Sequence, residues 1–365
     1  MLSYKAKRIL NQIIPVGLIW FVISSAFLWT EYAVTNGQQN APESAITVNF
    51  TILLFASSSV FVIGLLVGLL ELTLIHKWFY NFSFIPKIIA KQLFYLLLME
   101  CIILILFPLA ASIELNASPF SLEVIDKYIL FFFSITHVST IVQIGFSLLV
   151  SLLYLEVRDH LGQDVFRNFF TGKYHSPKAE TRIFMFTDMK SSTTIAEQIG
   201  HVRYFDFLKE YYNELSDAII NNEGEVYQYI GDEIVITWNM DNAKRVHQAV
   251  QCYFDMKQRL QEKRALFEQV YKTFPDFKAA IHLGEVTTGE VGALKKEIFF
   301  TGDVLNTTSR MQNLCTSHQT DLIISQEILD RLENAKHAHQ FEPLMDQQLK
   351  GKSKTIHLYR LQTND

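Results

Sequence analysis

Two aspartates in two different turns carry the first chemical signal. Asp188 lies in Phe186-Thr187-Asp188-Met189-Lys190-Ser191-Ser192-Thr193 and Asp232 in Tyr229-Ile230-Gly231-Asp232-Glu233. Each ends an apolar, strand-like run, so a fold that pairs those strands sets both carboxylates at one sheet edge. Such a pair suits Mg²⁺, which takes few protein carboxylates and completes its shell with water and phosphate oxygens. Either aspartate alone would read as a turn cap. After Asp188, small hydroxyl residues including Ser192 and Thr193 open a helix, where free backbone N–H groups can meet phosphate; the same hydroxyls can serve as simple caps. Farther along, Gly302-Asp303-Val304-Leu305-Asn306-Thr307-Thr308-Ser309-Arg310 sets Asn306 and Arg310 four residues apart on one helical face. Carboxylates for metal and a guanidinium for phosphate are the parts of a nucleotide-handling site.

These residues need a sheet and helices to hold them. Residues 182–187 read as a strand, 193–221 as a helix interrupted near Gly200, and 225–230 with 233–238 as a hairpin around the Gly-Asp-Glu turn. A long charged helix is expected over 241–266 and a strand over 277–283, followed by glycine-rich 284–292. Then come strand 297–301, helix 304–315, strand 321–324, and finally 341–347 and 356–361. A hairpin within alternating strands and helices predicts an α+β sheet with helices on one side.

The N-terminal part is chemically different. Of the 32 Lys and Arg in this 365-residue chain, residues 1–157 hold 7, while 158–365 hold 25 together with 29 of the 37 acids. Four apolar stretches, about 12–34, 47–75, 92–114 and 129–157, each approach the ~20 residues that cross a bilayer as a helix. Lys5, Lys7 and Arg8 precede the first and 35–46 holds no basic residue. Lys77, Lys87 and Lys91 follow the second, Lys127 precedes the fourth, and Arg158 and Arg167 follow it. The positive-inside rule then puts both termini in the cytoplasm of a multi-pass membrane protein. The first stretch lacks a small-residue cleavage site and is expected to stay as an anchor.

Glu100 and His137 fall inside apolar stretches, which suggests sensing or helix pairing as readily as plain hydrogen bonding; Glu31 and Glu71, near span ends, read as interfacial. Cys101, Cys252 and Cys315 are too scattered for a disulfide framework or metal cluster and are expected as buried thiols. A net charge of −5 argues against nucleic acid as a partner.

With FTDMKSST, YIGDEIV, HLGEVTTGEVG, GDVLNTTSRM and LKGK in that order, the stretch from about Arg182 to Leu361 resembles the catalytic domain of class III adenylate and guanylate cyclases. The resemblance implies a ferredoxin-like α+β core and a division into a four-helix transmembrane domain (1–157), a connector (158–181) and a catalytic domain (182–365). It also implies cyclisation of ATP to cyclic AMP and pyrophosphate with two Mg²⁺ or Mn²⁺ per site. Asp188 and Asp232 are then the metal carboxylates, with the Met189 backbone carbonyl beside them. Asn306 positions the ribose, Arg310 stabilises the pentavalent phosphorus, Ser192 and Thr193 bind phosphate, and Lys350 holds the terminal phosphates.

In this family the metal residues come from one protomer and the asparagine, arginine and base-reading residues from the other, so the resemblance implies a homodimer. Two positions depart from the pattern for adenine. Gln228 stands where a lysine is usual and Phe299 where an aspartate or threonine is usual, with Tyr227, Tyr229, Phe300 and Thr301 near enough to take over. A guanylate cyclase is therefore the nearest rival, and a catalytically silent membrane receptor with a dimerising, nucleotide-sensing domain is the rival from another class. A diguanylate cyclase shares a Gly-Asp/Glu turn but lacks the NTTSR helix. Outer loops 35–46 and 115–128 are too short for a folded ligand-binding domain, so any signal would act within the bilayer, on these loops or through a partner.

Overall fold

A computed structural model describes residues 4–34, 50–79, 82–162, 166, 168, 171–332, 341–344 and 355–362. The chain divides into two units, Met1–Gln163 and Asp164–Asp365.

The first unit consists of helices α1 (Tyr4–Val34), α2 (Phe50–Leu70), α3 (Phe84–Leu115), α4 (Leu122–Phe132) and α5 (Ile135–Leu161). A π turn, Glu71–Ile75, and a last turn, His76–Trp78, extend α2. Among the described residues four stretches are long and apolar enough to cross a membrane: Arg8–Thr30, Leu54–Trp78, Phe84–Leu115 and Ile135–His160. The third therefore starts before the expected 92. The fourth starts after the expected 129, because the chain breaks at Phe133 and Ser134 and the Ser134 hydroxyl accepts the His137 N–H to start a new helix. Helices α1 and α2 pack closely: a Cβ on Gly64 would sit 2.9 Å from the Cα of Gly17, the contact that small residues allow between apolar helices.

Several ionisable groups in this unit are paired. Glu71, expected at an interface, is buried and holds Lys91 and the Tyr95 hydroxyl. Lys87 binds Glu156 at 2.7 Å and Lys91 approaches the same carboxylate at 3.8 Å. One network thus joins the π turn, α3 and α5, and loss of a single partner would strand a charge at low dielectric. His137 Nε2 lies 3.1 Å from Glu100, which gives both groups a partner. Cys101 is exposed on α3, against the expectation of a buried thiol, whereas Cys252 and Cys315 are buried.

The second unit is built on an eight-stranded sheet in the order β2-β3-β1-β4-β6-β8-β7, with β5 also paired to β4. The strands are β1 (Lys178–Met189), β2 (Glu225–Ile230), β3 (Glu233–Asn239), β4 (Phe277–Val291), β5 (Glu297–Thr301), β6 (Leu322–Ser325), β7 (Phe341–Pro343) and β8 (Leu358–Leu361). Helices α6 (Ser192–Ile199) and α7 (His201–Asn221) meet at Gly200, whose φ of +81° a residue with a side chain would resist. The helix expected over 241–266 is two, α8 (Lys244–Glu262) and α9 (Arg264–Tyr271). The break at Lys263 lets Phe267 and Tyr271 turn onto Phe207 in the core. Helix α10 (Asp303–Ser317) and a short α11 (Gln326–Leu329) complete the unit.

Strand periodicity assigns the two faces. Ile183 and Met185 of β1, Ile234, Ile236 and Trp238 of β3, and Ala279 and Ile281 of β4 pack with α7 and α8 in the main core. Phe184, Phe186, Val235 and Val286 point the other way and meet Val304 of α10, while Met311 and Cys315 of α10 cover Ala280 and Ile323. Helices therefore cover both faces rather than one, because β4 and β6 are apolar on both. Glycine-rich 284–292, expected to follow the strand, is instead part of β4 through Val291. A Cβ on Gly284 would meet Val304 at 3.0 Å, so this glycine serves a close helix–strand approach and not a turn.

Candidate active site

Pairing brings the two turn aspartates to one end of the sheet. In the β1–β3 ladder Thr187 opposes Ile234, which sets Asp188 beside Glu233 and the β2–β3 turn that holds Asp232. Gly231 makes that turn at a φ of +64°, and the Tyr212 hydroxyl donates to its carbonyl. Asp188 stays on the α10 face of β1, while the Met189 side chain is buried in the main core; only the main chain of Met189 can face the site.

Acid crowds acid here. Burial pushes the Asp232 carboxyl above the usual carboxylate range; the Ser192 hydroxyl pulls it back down and the charge of Asp188 pushes it up again. Its Oδ2 is buried and has no hydrogen-bond partner. Glu233 is pushed up to about 7, by burial first and then by the charges of Asp188 and Asp232. Lys278 pairs with Asp188 at 3.2 Å, and its ammonium also reaches the Thr316 hydroxyl at 3.1 Å. A buried carboxylate oxygen without a donor, facing a second carboxylate, fits a hard divalent cation. Among the described residues no group of three or more His, Cys, Asp or Glu gathers as a metal cage, so backbone, water and substrate oxygens would complete the shell.

A cleft of about 550 Å³ opens beside Asp188, lined by Lys190, Ser192, Thr193, Lys278, Thr316 and Asp321 among others. Lys190 is held by Asp276 at 2.7 Å and Asp321 at 2.5 Å, so its charge is already neutralised. Ser192 is half-buried and turned to Asp232, and Thr193 is exposed at the start of α6. Ser191, in the left-handed region, takes the N-cap position with no side-chain capping bond.

Other expected residues lie apart from this cluster. Helix α10 is tied to Asp188 at its last turn, through Thr316 and Lys278. Asn306 is about 15 Å, and Arg310 about 9 Å, farther along the helix axis. Asn306 is exposed and Arg310 half-buried. Gln228 is exposed next to a β-bulge at Tyr227, where the β2–β3 register shifts between Val226 and Gln228. Phe299 is exposed on β5, whereas Phe300 is buried and so unable to face a ligand. Lys350 falls outside the described residues.

Two groups escaped the sequence reading. Glu233 was legible, since it follows Asp232 directly. Lys278 was not, because it reaches Asp188 only through the β1–β4 pairing of those two positions. The raised Glu233 pKa has a consequence for stability without metal. A carboxyl that binds its proton more tightly folded than unfolded stabilises fully below the ordinary value of 4.5 and loses that contribution as pH rises through about 7. With chelator present, Glu233→Gln should therefore melt progressively higher than wild type between pH 5 and pH 8; parallel melting curves across that range would contradict it.

The family model described as adenylate and guanylate cyclase catalytic domain matches residues 175–363. Adenylate cyclase 2 of Rhizobium meliloti (strain 1021) is 32% identical over 205 residues, 56% of this chain and 56% of that protein. Adenylate cyclase of Anabaena cylindrica is 25% identical over 184 residues, 48% of this chain and 36% of that protein. The chain thus spans little more than half, or less, of the curated relatives it matches. A bacterial light-regulated adenylyl cyclase structure superposes with a TM-score of 0.50 at 18% identity, covering 62% of this chain and 64% of that one, a likeness of fold.

Proposed function

The chain belongs to the adenylate and guanylate cyclase catalytic-domain family, and from that premise we propose that it is a membrane-anchored homodimeric cyclase that converts ATP to cyclic AMP and pyrophosphate. The observation that carries this reading is the pairing of Asp188 with an Asp232 whose buried Oδ2 has no partner. Together with the Met189 carbonyl these carboxylates would hold two Mg²⁺ or Mn²⁺ ions. Bound there, the ions would supply activation of the ribose 3′-hydroxyl and neutralisation of the phosphates. The 3′-oxygen gives up its proton to solvent and bonds to the α-phosphorus, the bond from that phosphorus to the pyrophosphate oxygen breaks, and no protein nucleophile is needed. Arg310 meets the charge that develops on the phosphoryl oxygens, and Asn306 orients the ribose. Ser192, Thr193 and the α6 amides face phosphate, with Lys350 on its terminal end.

The offset along α10 favours a site shared by two chains. Asn306 and Arg310 lie up the helix from the turn that Lys278 ties to Asp188, and a second copy could bring its α10 to that metal pair. Val226, Tyr229, Ile230, Val291, Leu294 and Phe299 are exposed on this unit, apolar surface of the kind that an interface covers. Residues 1–157 would anchor the dimer and 158–181 connect anchor to catalytic domain.

Purified full-length protein supplied with Mg²⁺ or Mn²⁺ should turn over ATP with a higher kcat/KM than GTP. The margin should be narrower than two matched base hydrogen bonds would give, since Gln228 can donate and accept whereas Phe299 can only stack. A GTP preference would make the protein a guanylate cyclase, and no turnover of either would favour a silent receptor.

Topology follows from the basic residues of the inner loops. Reporter fusions after residues 40 and 120 should read as external, and those after residue 85 and at the C-terminus as cytoplasmic. An external C-terminus would put the site out of reach of ATP.

A further inference from the structure

Gln228 and Phe299 can grip one purine only if their strands keep a fixed spacing, yet no ladder joins them. Strand β2 pairs with β3 and β5 with β4, and β3, β1 and β4 separate the two. The gap is crossed over the α10 face of the sheet by Arg182 of β1. Its side chain is 2% exposed. Nη2 binds Glu225 of β2 at 2.6 Å, Nη1 binds Glu180 at 3.0 Å, and Nε binds Thr237 of β3 at 3.0 Å. The guanidinium carbon lies over the ring of Phe300 on β5, 4.7 Å from its centroid. Phe300 in turn packs edge-on against Tyr227 of β2, with centroids 4.8 Å apart. Tyr227 is the neighbour of Gln228, and Phe300 the neighbour of Phe299. Glu180 is fixed by the Thr288 hydroxyl at 2.6 Å, and Thr288 opposes Phe300 in the β4–β5 ladder.

We propose that Arg182 is a positioning residue for purine choice: its bridge through Phe300 and Tyr227 sets the separation of Gln228 and Phe299, and so which base edge they fit. The inference rests on the reading of Gln228 and Phe299 as the base-facing pair. A buried ion pair contributes little net stability compared with apolar packing, so its value here is geometric. Lysine cannot replace it, because an ammonium neither forks between two carboxylates nor lies flat on an aromatic ring.

The test compares kcat/KM for ATP and GTP in full-length wild type, Arg182→Met, Arg182→Lys, Phe300→Leu, Gln228→Ala and Phe299→Ala. Arg182→Met and Phe300→Leu should move the nucleotide ratio toward one by about five- to tenfold, mainly through KM of the preferred nucleotide. Arg182→Lys should fail to restore it. Should Arg182→Met not fold, Phe300→Leu, which keeps the site apolar but removes the ring, decides alone. If Gln228→Ala or Phe299→Ala shifts the ratio while folded Phe300→Leu and Arg182→Met keep the wild-type ratio, the bridge is overturned and the base reading stands. If neither Gln228→Ala nor Phe299→Ala shifts it, the purine is read elsewhere and the proposal falls with its premise.

Discussion

Asp232→Ala should lower ATP turnover by about 10³-fold or more while the protein remains folded, because on the proposed reading a carboxylate that would hold the metal ions at the reacting phosphate is gone. Little stability should be lost with it. The residue sits in a hairpin turn, its Oδ2 has no hydrogen-bond partner, and its charge is held at a cost, from burial first and then from the charge of Asp188. Asp188→Ala should be equally inactive and somewhat less stable, since Lys278 loses its ion pair and keeps only the Thr316 hydroxyl. Steady-state assays with Mn²⁺, read beside thermal melts of the same preparations, separate the two effects. Wild-type turnover in either variant would rule out the two-aspartate site.

Co-expression of inactive Asp232→Ala and inactive Arg310→Ala chains should restore activity. In a mixed dimer one site carries both lesions and the other carries neither. Random pairing makes half the dimers mixed, each with one intact site of two, so recovery should approach about a quarter of the wild-type rate. The offset of Asn306 and Arg310 from the Thr316 end of α10 is the structural ground for expecting this. Purified mixed dimers, shown to contain both chains yet as inactive as either parent, would place each site within one chain.

Signals carried by a few adjacent residues were readable directly. The Gly231-Asp232 turn between alternating runs fixed the β2–β3 hairpin, because the left-handed conformation at Gly231 is a local property. Helical spacing of Asn306 and Arg310 set them on one face of α10, and the length and apolarity of four stretches marked helices able to cross a membrane. The order of the five motifs was enough for the family resemblance.

What the sequence left open depends on partners far along the chain. Gly284 looks like a loop residue until β1 and α10 are beside it, and Gly289 until it pairs with Phe299 of β5; only then does a strand running through Val291 make sense. Glu71 looks interfacial until Lys91 and Tyr95 bury it. Lys278 meets Asp188, and Arg182 meets Glu225 and Phe300, only through sheet register and packing across strands. Composition and periodicity determine which face of an element is apolar; which two faces meet, and which charges they enclose, is settled by how the whole sheet and its helices exclude water together.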